Sequence, residues 1–138
     1  MKHWFLDTNV LIDFLLNRPP FAMDAATLLE LAERREVQLY VASLSFATAY
    51  YLGRKTRPHQ QTIAVLANLA QLVQIVSVDA IVVRQALAAG FSDFEDALQH
   101  FTATAVPAIE AIITRDPKGF QASTLPVLTP QEALAEIK

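Results

Sequence analysis

The sequence predicts an α/β fold, a three-layer α/β/α sandwich with a central parallel sheet of about five strands. Two observations carry that reading. Short apolar runs at residues 3–6, 39–42, 74–78, 111–114 and 126–128 lack the period-2 alternation of a strand with one wet face. Segments of helical periodicity separate them, and strands alternating with helices close right-handed crossovers that cover both faces of a parallel sheet. The chain has 138 residues, 53% apolar and 18% charged, enough for one hydrophobic core. No linker, repeat or low-complexity tract offers a boundary, so residues 1–138 are expected to form a single domain.

The elements follow in order. The first apolar run stops at Asp7-Thr8-Asn9, and Val10, Leu11, Phe14 and Leu15 then share one helix face. Asn17-Arg18-Pro19-Pro20 breaks that helix, and a second is expected over about 23–36, burying Leu28, Leu29 and Leu31 with Glu30, Glu33 and Arg34 outward. After the strand at 39–42, Ser43 or Ser45 stands where it can cap a helix through Phe46, Ala49, Tyr50 and Leu52, ended by Gly53 and the polar turn to Pro58. A helix over about 60–72 leads into the β-branched strand 74–78, and Asp79 caps a helix over 80–89. Gly90 ends it. Ser92 opens the next helix, with Glu95 completing an S-x-x-E capping box, and Pro107 closes it. Past the strand at 111–114 the chain turns at Arg115-Asp116-Pro117, and the last strand meets Thr129, an N-cap with Pro130 at the first helical position.

Composition narrows the function. A net charge of -3 and the absence of cysteine exclude a domain basic overall, a disulfide framework, zinc-thiolate sites and thiol catalysis. Any contact with nucleic acid is therefore local, and a reducing cytoplasm is the expected setting. The N-terminal apolar run meets Asp7 too soon for an export signal. The longest uncharged stretch, 62–78, is interrupted by Asn68, Gln71 and Gln74, so no membrane span is expected.

The acids carry the chemistry. Asp7 follows the first strand and Asp116 lies just past Thr114 at the end of the fourth, which puts both at one sheet edge. Asp93 and Asp96, three apart, share a face in the first turn of the helix leading into that fourth strand. Each has a structural alternative: Asp7 and Asp93 as helix caps, Asp96 as a first-turn acid facing the helix dipole, Asp116 as a turn residue. Together they describe a cluster whose repulsion a cation would relieve, and oxygen-only ligands suit Mg²⁺ or Mn²⁺. His100, four residues after Asp96 beside Phe101, reads as a partly buried helix histidine. Arg54, Lys55 and Arg57 form a small basic group at the end of the Tyr50-Tyr51 helix and, with Arg115, are the candidate phosphate contacts.

Three segments, Phe5-Leu6-Asp7-Thr8-Asn9-Val10-Leu11-Ile12-Asp13, Asp93-Phe94-Glu95-Asp96-Ala97-Leu98-Gln99 and Ile113-Thr114-Arg115-Asp116 with Phe120 following, resemble the PIN domain. The likeness is strongest to the small single-domain members that include the VapC-type toxin ribonucleases. It spans essentially the whole chain. What it implies is an α/β/α sandwich, acids binding Mg²⁺ or Mn²⁺, hydrolysis of RNA phosphodiesters, and an antitoxin protein as partner. Asp7, Asp96 and Asp116 match the family's first, third and fourth acids, and Asn9 and Thr114 match supporting polar residues. The second acid, which the family places as a Glu in the helix after the second strand in a pattern of Ser or Thr, two residues, then Glu, is replaced: Ser45-Phe46-Ala47-Thr48 puts Thr48 there. Thr48 is expected to face the same pocket, with Asp93 standing in for the lost carboxylate. Related toxins commonly pair, and Phe21, Tyr50, Tyr51 and Leu52 offer apolar surface for a homodimer.

The expected function is thus a metal-dependent endoribonuclease, the toxin of a pair. The alternative is a degenerate module that binds RNA or a protein partner without cutting, motivated by Thr48. An aspartate-nucleophile phosphatase ranks last, because it needs an acid two residues after Asp7 and this chain has Asn9 there.

Overall fold

The computed structural model describes residues 1–137; the end of the expected domain, Lys138, lies outside the described residues. The strands are β1 (Lys2–Leu6), β2 (Val37–Ala42), β3 (Gln74–Val76), β4 (Ala111–Ile113) and β5 (Val127–Leu128). They form one sheet in the order β3-β2-β1-β4-β5, with every neighbouring pair parallel. The helices are α1 (Thr8–Leu15), α2 (Ala22–Glu33), α3 (Ser43–Gly53), α4 (His59–Leu72), α5 (Ala80–Ala88), α6 (Phe94–Thr104) and α7 (Pro130–Ala135), with a 3₁₀ turn at Pro117–Phe120.

Both faces of the sheet are covered, which is why its strands read as continuous apolar runs. Along β1 and β4, Trp4, Leu6, Ala111 and Ile113 pack into the larger core with α1, α2 and α3. Phe5 and Ile112, the alternate positions, pack into the second core with Ala103 and Phe120. Each fully buried Leu, Ile or Phe contributes about 1.5–3 kcal/mol.

Strand order places the site. The chain runs outward from β1 to β2 and β3, then crosses back to lay β4 on the other side of β1, so the order reverses between β1 and β4. Ligand crevices of open parallel sheets lie at such a switch, beyond the carboxyl ends of the strands. Leu6 pairs with Ile113 in register, and the next residues on each strand are Asp7 and Thr114.

Local signals hold where they are self-contained. Asp79 caps α5 by accepting the N–H of Val82 at 3.0 Å, and Thr129 with Glu132 forms the capping box of α7. Two expected caps are corrected. Neither Ser43 nor Ser45 caps α3: Ala42 occupies the N-cap, the Ser43 hydroxyl accepts the N–H of Val78, and Ser45 turns toward Thr8. Asp93 rather than Ser92 caps α6, accepting the Asp96 N–H at 2.9 Å, so the Ser92–Glu95 box does not form. β3 stops at Val76, two residues early, because the N–H of Val78 goes to Ser43 instead of a strand. α2 stops at Glu33, and Arg35 takes a left-handed φ of 61° as the chain turns into β2. Among the described residues no helix is long and apolar enough to cross a membrane.

Candidate active site

Asp7 is 4% exposed at the carboxyl end of β1, its N–H donated to the Ile113 carbonyl at 2.9 Å. It occupies the N-cap of α1 yet makes no side-chain cap bond. Its carboxylate is instead held from two sides: Oδ1 accepts from the Gln99 amide at 2.7 Å and Oδ2 from the Thr114 hydroxyl at 2.7 Å. Burial pushes this carboxyl above the ordinary aspartate value, and the Thr114 and Gln99 donors oppose that shift by stabilising the ion. Thr114 is itself anchored, accepting from the Asn9 amide at 3.3 Å and the Asp116 N–H at 3.0 Å. One hydroxyl thereby links the residues that end β1 and β4.

Asp96 sits in the first turn of α6. Burial, then the charges of Asp7, Asp93, Glu95 and Asp116, push its carboxyl up to about 7. Four carboxylates from three parts of the chain therefore act on one. Gly119 of the 3₁₀ turn closes the other side, where a β-carbon would overlap Asp96 Oδ2. Glu95, read from the sequence as a capping-box residue, joins this group: burial and the charges of Asp7 and Asp93 raise its carboxyl. Asp93 is near by, with Oδ1 engaged as the cap of α6.

Thr48 lies half-buried on α3, its hydroxyl turned back to the Leu44 carbonyl at 3.5 Å. The polar residue of α3 that reaches the β1 end is Ser45, fully buried and 2.6 Å from the Thr8 hydroxyl. Of the expected phosphate contacts, two are spent inside the protein. Arg57 donates to the Leu15 carbonyl at 2.7 Å, tying off α1. The Nε of Arg115 donates to buried Asp13 at 2.7 Å while its guanidinium lies 4.6 Å from the centroid of the Phe21 ring. Arg54 and Lys55 stay exposed at the end of α3. His100 is buried as expected, its Nε2 accepting the Thr124 N–H at 3.1 Å and its ring packed between Phe91 and Phe101. Burial lowers its pKa.

The donor chemistry fits a hard divalent cation. All polar groups at the cluster are oxygens or amides, and Asn9 Oδ1 is buried without a hydrogen-bond partner. Among the described residues no three carboxylate or imidazole side chains are grouped so as to hold an ion together. Mg²⁺ normally takes only one or two carboxylates, with waters and substrate phosphates filling its shell.

Four residues not expected at the site from the sequence complete it, Thr8, Ser45, Gln99 and Glu95, while buried Asp13 holds Arg115. Gln99 carried a signal. It is a polar residue three after Asp96, on the helix face that also carries Thr102 and Ala103, both buried. Asp13 carried one too, an acid in the apolar run of α1.

A family model described as PIN domain matches residues 3–118. The chain superposes on a DNA-bound VapBC structure from Salmonella typhimurium with a TM-score of 0.71 at 16% identity, covering 94% of this chain and 99% of that one. A toxin-antitoxin complex from Klebsiella pneumoniae gives 0.66 at 23% identity, covering 91% and 96%. VapC20 of Mycobacterium tuberculosis, described as a Sarcin-Ricin loop cleaving toxin, gives 0.64 at 16% identity, covering 86% and 94%. Among curated proteins, none matches the sequence.

Proposed function

Since this chain belongs to the PIN domain family, we propose that it is a metal-dependent endoribonuclease acting in the cytoplasm as the toxin of a toxin-antitoxin pair. The observation that carries this reading is the gathering of Asp7, Asp93, Glu95 and Asp116 about half-buried Asp96 at the carboxyl edge of the sheet, where burial first and then their charges hold the Asp96 carboxyl at about 7. Such crowding costs stability unless something positive fills it. Mg²⁺ or Mn²⁺ would draw one or two carboxylates from among Asp7, Asp96 and Asp116, with Asp93 near by and waters and substrate phosphate filling the rest of its shell. When bound, such an ion neutralises charge on a phosphate and activates water as the nucleophile. The chain's own part is to keep the acids fixed and partly dry. Gln99 and Thr114 hold Asp7, and Gly119 gives Asp96 its room. His100 is buried with Nε2 engaged by Thr124, which leaves the carboxylates to handle protons. Arg54 and Lys55 would take the flanking phosphates.

The test is cleavage of a structured RNA by the purified chain with Mn²⁺ or Mg²⁺, with EDTA, and by Asp7→Asn. Ion-dependent cleavage lost in Asp7→Asn supports the reading; cleavage that survives in Asp7→Asn refutes it. A second reading, retention of RNA or a protein partner without cutting, draws on the Thr48 hydroxyl, which is bonded back into its own helix. It predicts RNA retention in Mn²⁺ with no product.

The Salmonella and Klebsiella structures are toxin-antitoxin complexes, which supports an antitoxin partner for this chain as well. A homodimer is the remaining part of the proposal. Of its expected apolar contributors, Tyr51 is 71% exposed, whereas Tyr50 and Leu52 are half-buried and Phe21 is covered in part by Arg115. Light scattering at high micromolar concentration tests it, with Tyr51→Glu expected to shift the chain toward the monomer.

A further inference from the structure

Gln99 is fully buried on α6, one turn after Asp96. Its carbonyl oxygen accepts the backbone N–H of Thr8 at 2.8 Å and the Thr8 hydroxyl at 3.0 Å. A backbone N–H can only donate, so Oε1 must face Thr8 and the amide nitrogen must face Asp7. There it donates to Oδ1. With the Thr8 proton given to Gln99, the Ser45 hydroxyl 2.6 Å away must donate to Thr8. Ser45 of α3, Thr8 of α1 and Gln99 of α6 are thus a one-way series of donors that ends on the Asp7 carboxylate. The other oxygen obeys the same logic. Thr114 Oγ1 accepts from Asn9 and from the Asp116 N–H, so its own proton goes to Asp7 Oδ2.

We infer that Gln99 is the positioning residue of the acidic site: it fixes the rotation of the Asp7 carboxylate and thereby which oxygen lone pairs face the neighbouring acids and a divalent cation. The cation part rests on the function proposed above; the orientation of Asp7 does not. The terminal torsion of an aspartate is broad, so a carboxylate without fixed partners turns freely, and repulsion from Asp96 favours turning away. Donors of unalterable polarity on opposite oxygens remove that freedom. Glutamine suits the position because it carries an acceptor for Thr8 and a donor for Asp7 on one side chain of the right length. Methionine would take from Thr8 its Gln99 acceptor and from Oδ1 its amide donor, and glutamate would present oxygen where Asp7 needs a donor.

The experiment pairs Gln99→Met with the nearly isosteric Gln99→Glu, and uses Leu69→Ala as a comparison that loosens the core at α4, away from the acids. Crystal structures give the orientation of Asp7, and calorimetry gives the affinity for Mn²⁺. Both Gln99 variants are expected to release the Asp7 carboxylate from its orientation and to weaken Mn²⁺ binding by about tenfold or more, the usual effect of losing a partner that orients a ligand. Leu69→Ala is expected to lose stability and keep both. If Gln99→Met does not fold, Gln99→Glu preserves the volume and decides. An unmoved Asp7 in a folded variant overturns the inference, as does unchanged Mn²⁺ affinity. A wild-type chain that binds no Mn²⁺ overturns the proposed metal dependence instead, and the orientation of Asp7 then decides the role of Gln99 alone.

Discussion

Gly119 lies against the Asp96 carboxylate so closely that any side chain at position 119 would overlap Oδ2. The contact joins the 3₁₀ turn after Asp116 to the first turn of α6, and so sets how near the third and fourth acids can come. Since the obstructing atom is the free end of a short side chain, Gly119→Ala is relieved by swinging the carboxylate. The expected stability change is below about 1 kcal/mol, at the mild end of overpacking. Mn²⁺ affinity is expected to fall because Asp96 is displaced. Calorimetry with thermal denaturation separates the two, and unchanged affinity would show that Asp96 binds nothing.

Asp96 also makes the ion-free protein sensitive to pH. Its folded value of about 7 exceeds the ordinary 3.8, so the folded state keeps a proton that the unfolded chain releases over that interval. Its contribution to stability is present below about pH 4 and is lost as pH rises to about 7. In EDTA, wild type should lose more melting temperature across that range than Asp96→Asn. His100 acts oppositely, since burial lowers its pKa and stability is lost as pH falls through 6.5. Both proteins carry His100, so it cancels in the difference. A difference that does not vary with pH would contradict the assignment.

Thr48→Glu adds a carboxylate on α3. The expected result is a lower melting temperature in EDTA, from added like charge, and Mn²⁺ binding tightened by about tenfold, or about 1.4 kcal/mol. Thr48→Gln, of matching size without charge, should do neither. If Glu and Gln behave alike, position 48 does not face the cluster.

Arg115 is a structural cation. Asp13 is nearly inaccessible and its Oδ1 already lacks a hydrogen-bond partner, so removing Arg115 strands a buried charge, with only Arg18 at 3.8 Å remaining. Arg115→Ala is expected to cost about 2–4 kcal/mol in urea denaturation. Arg115→Lys should recover only part, since an ammonium does not reproduce the planar contact with Phe21. A loss under about 0.5 kcal/mol would return Arg115 to the group of free phosphate contacts.

The sequence by itself determined the parallel α/β architecture and the caps that close within one turn, Asp79 on α5 and Thr129 on α7, because periodicity and capping are local. It also marked Asp7, Asp96 and Asp116 by their places after strands and in a first helical turn. Tertiary structure decided what those acids meet. Asp7 and Thr114 are 107 positions apart, and they touch because β4 pairs in register with β1 instead of continuing beyond β3. Likewise Gln99, not expected at the site from the sequence, donates to Asp7 only because α6 packs across the end of the sheet. Hydrogen bonds between distant elements depend on strand order and register, and helical or strand periodicity records neither; the partners of the acids are therefore settled by packing.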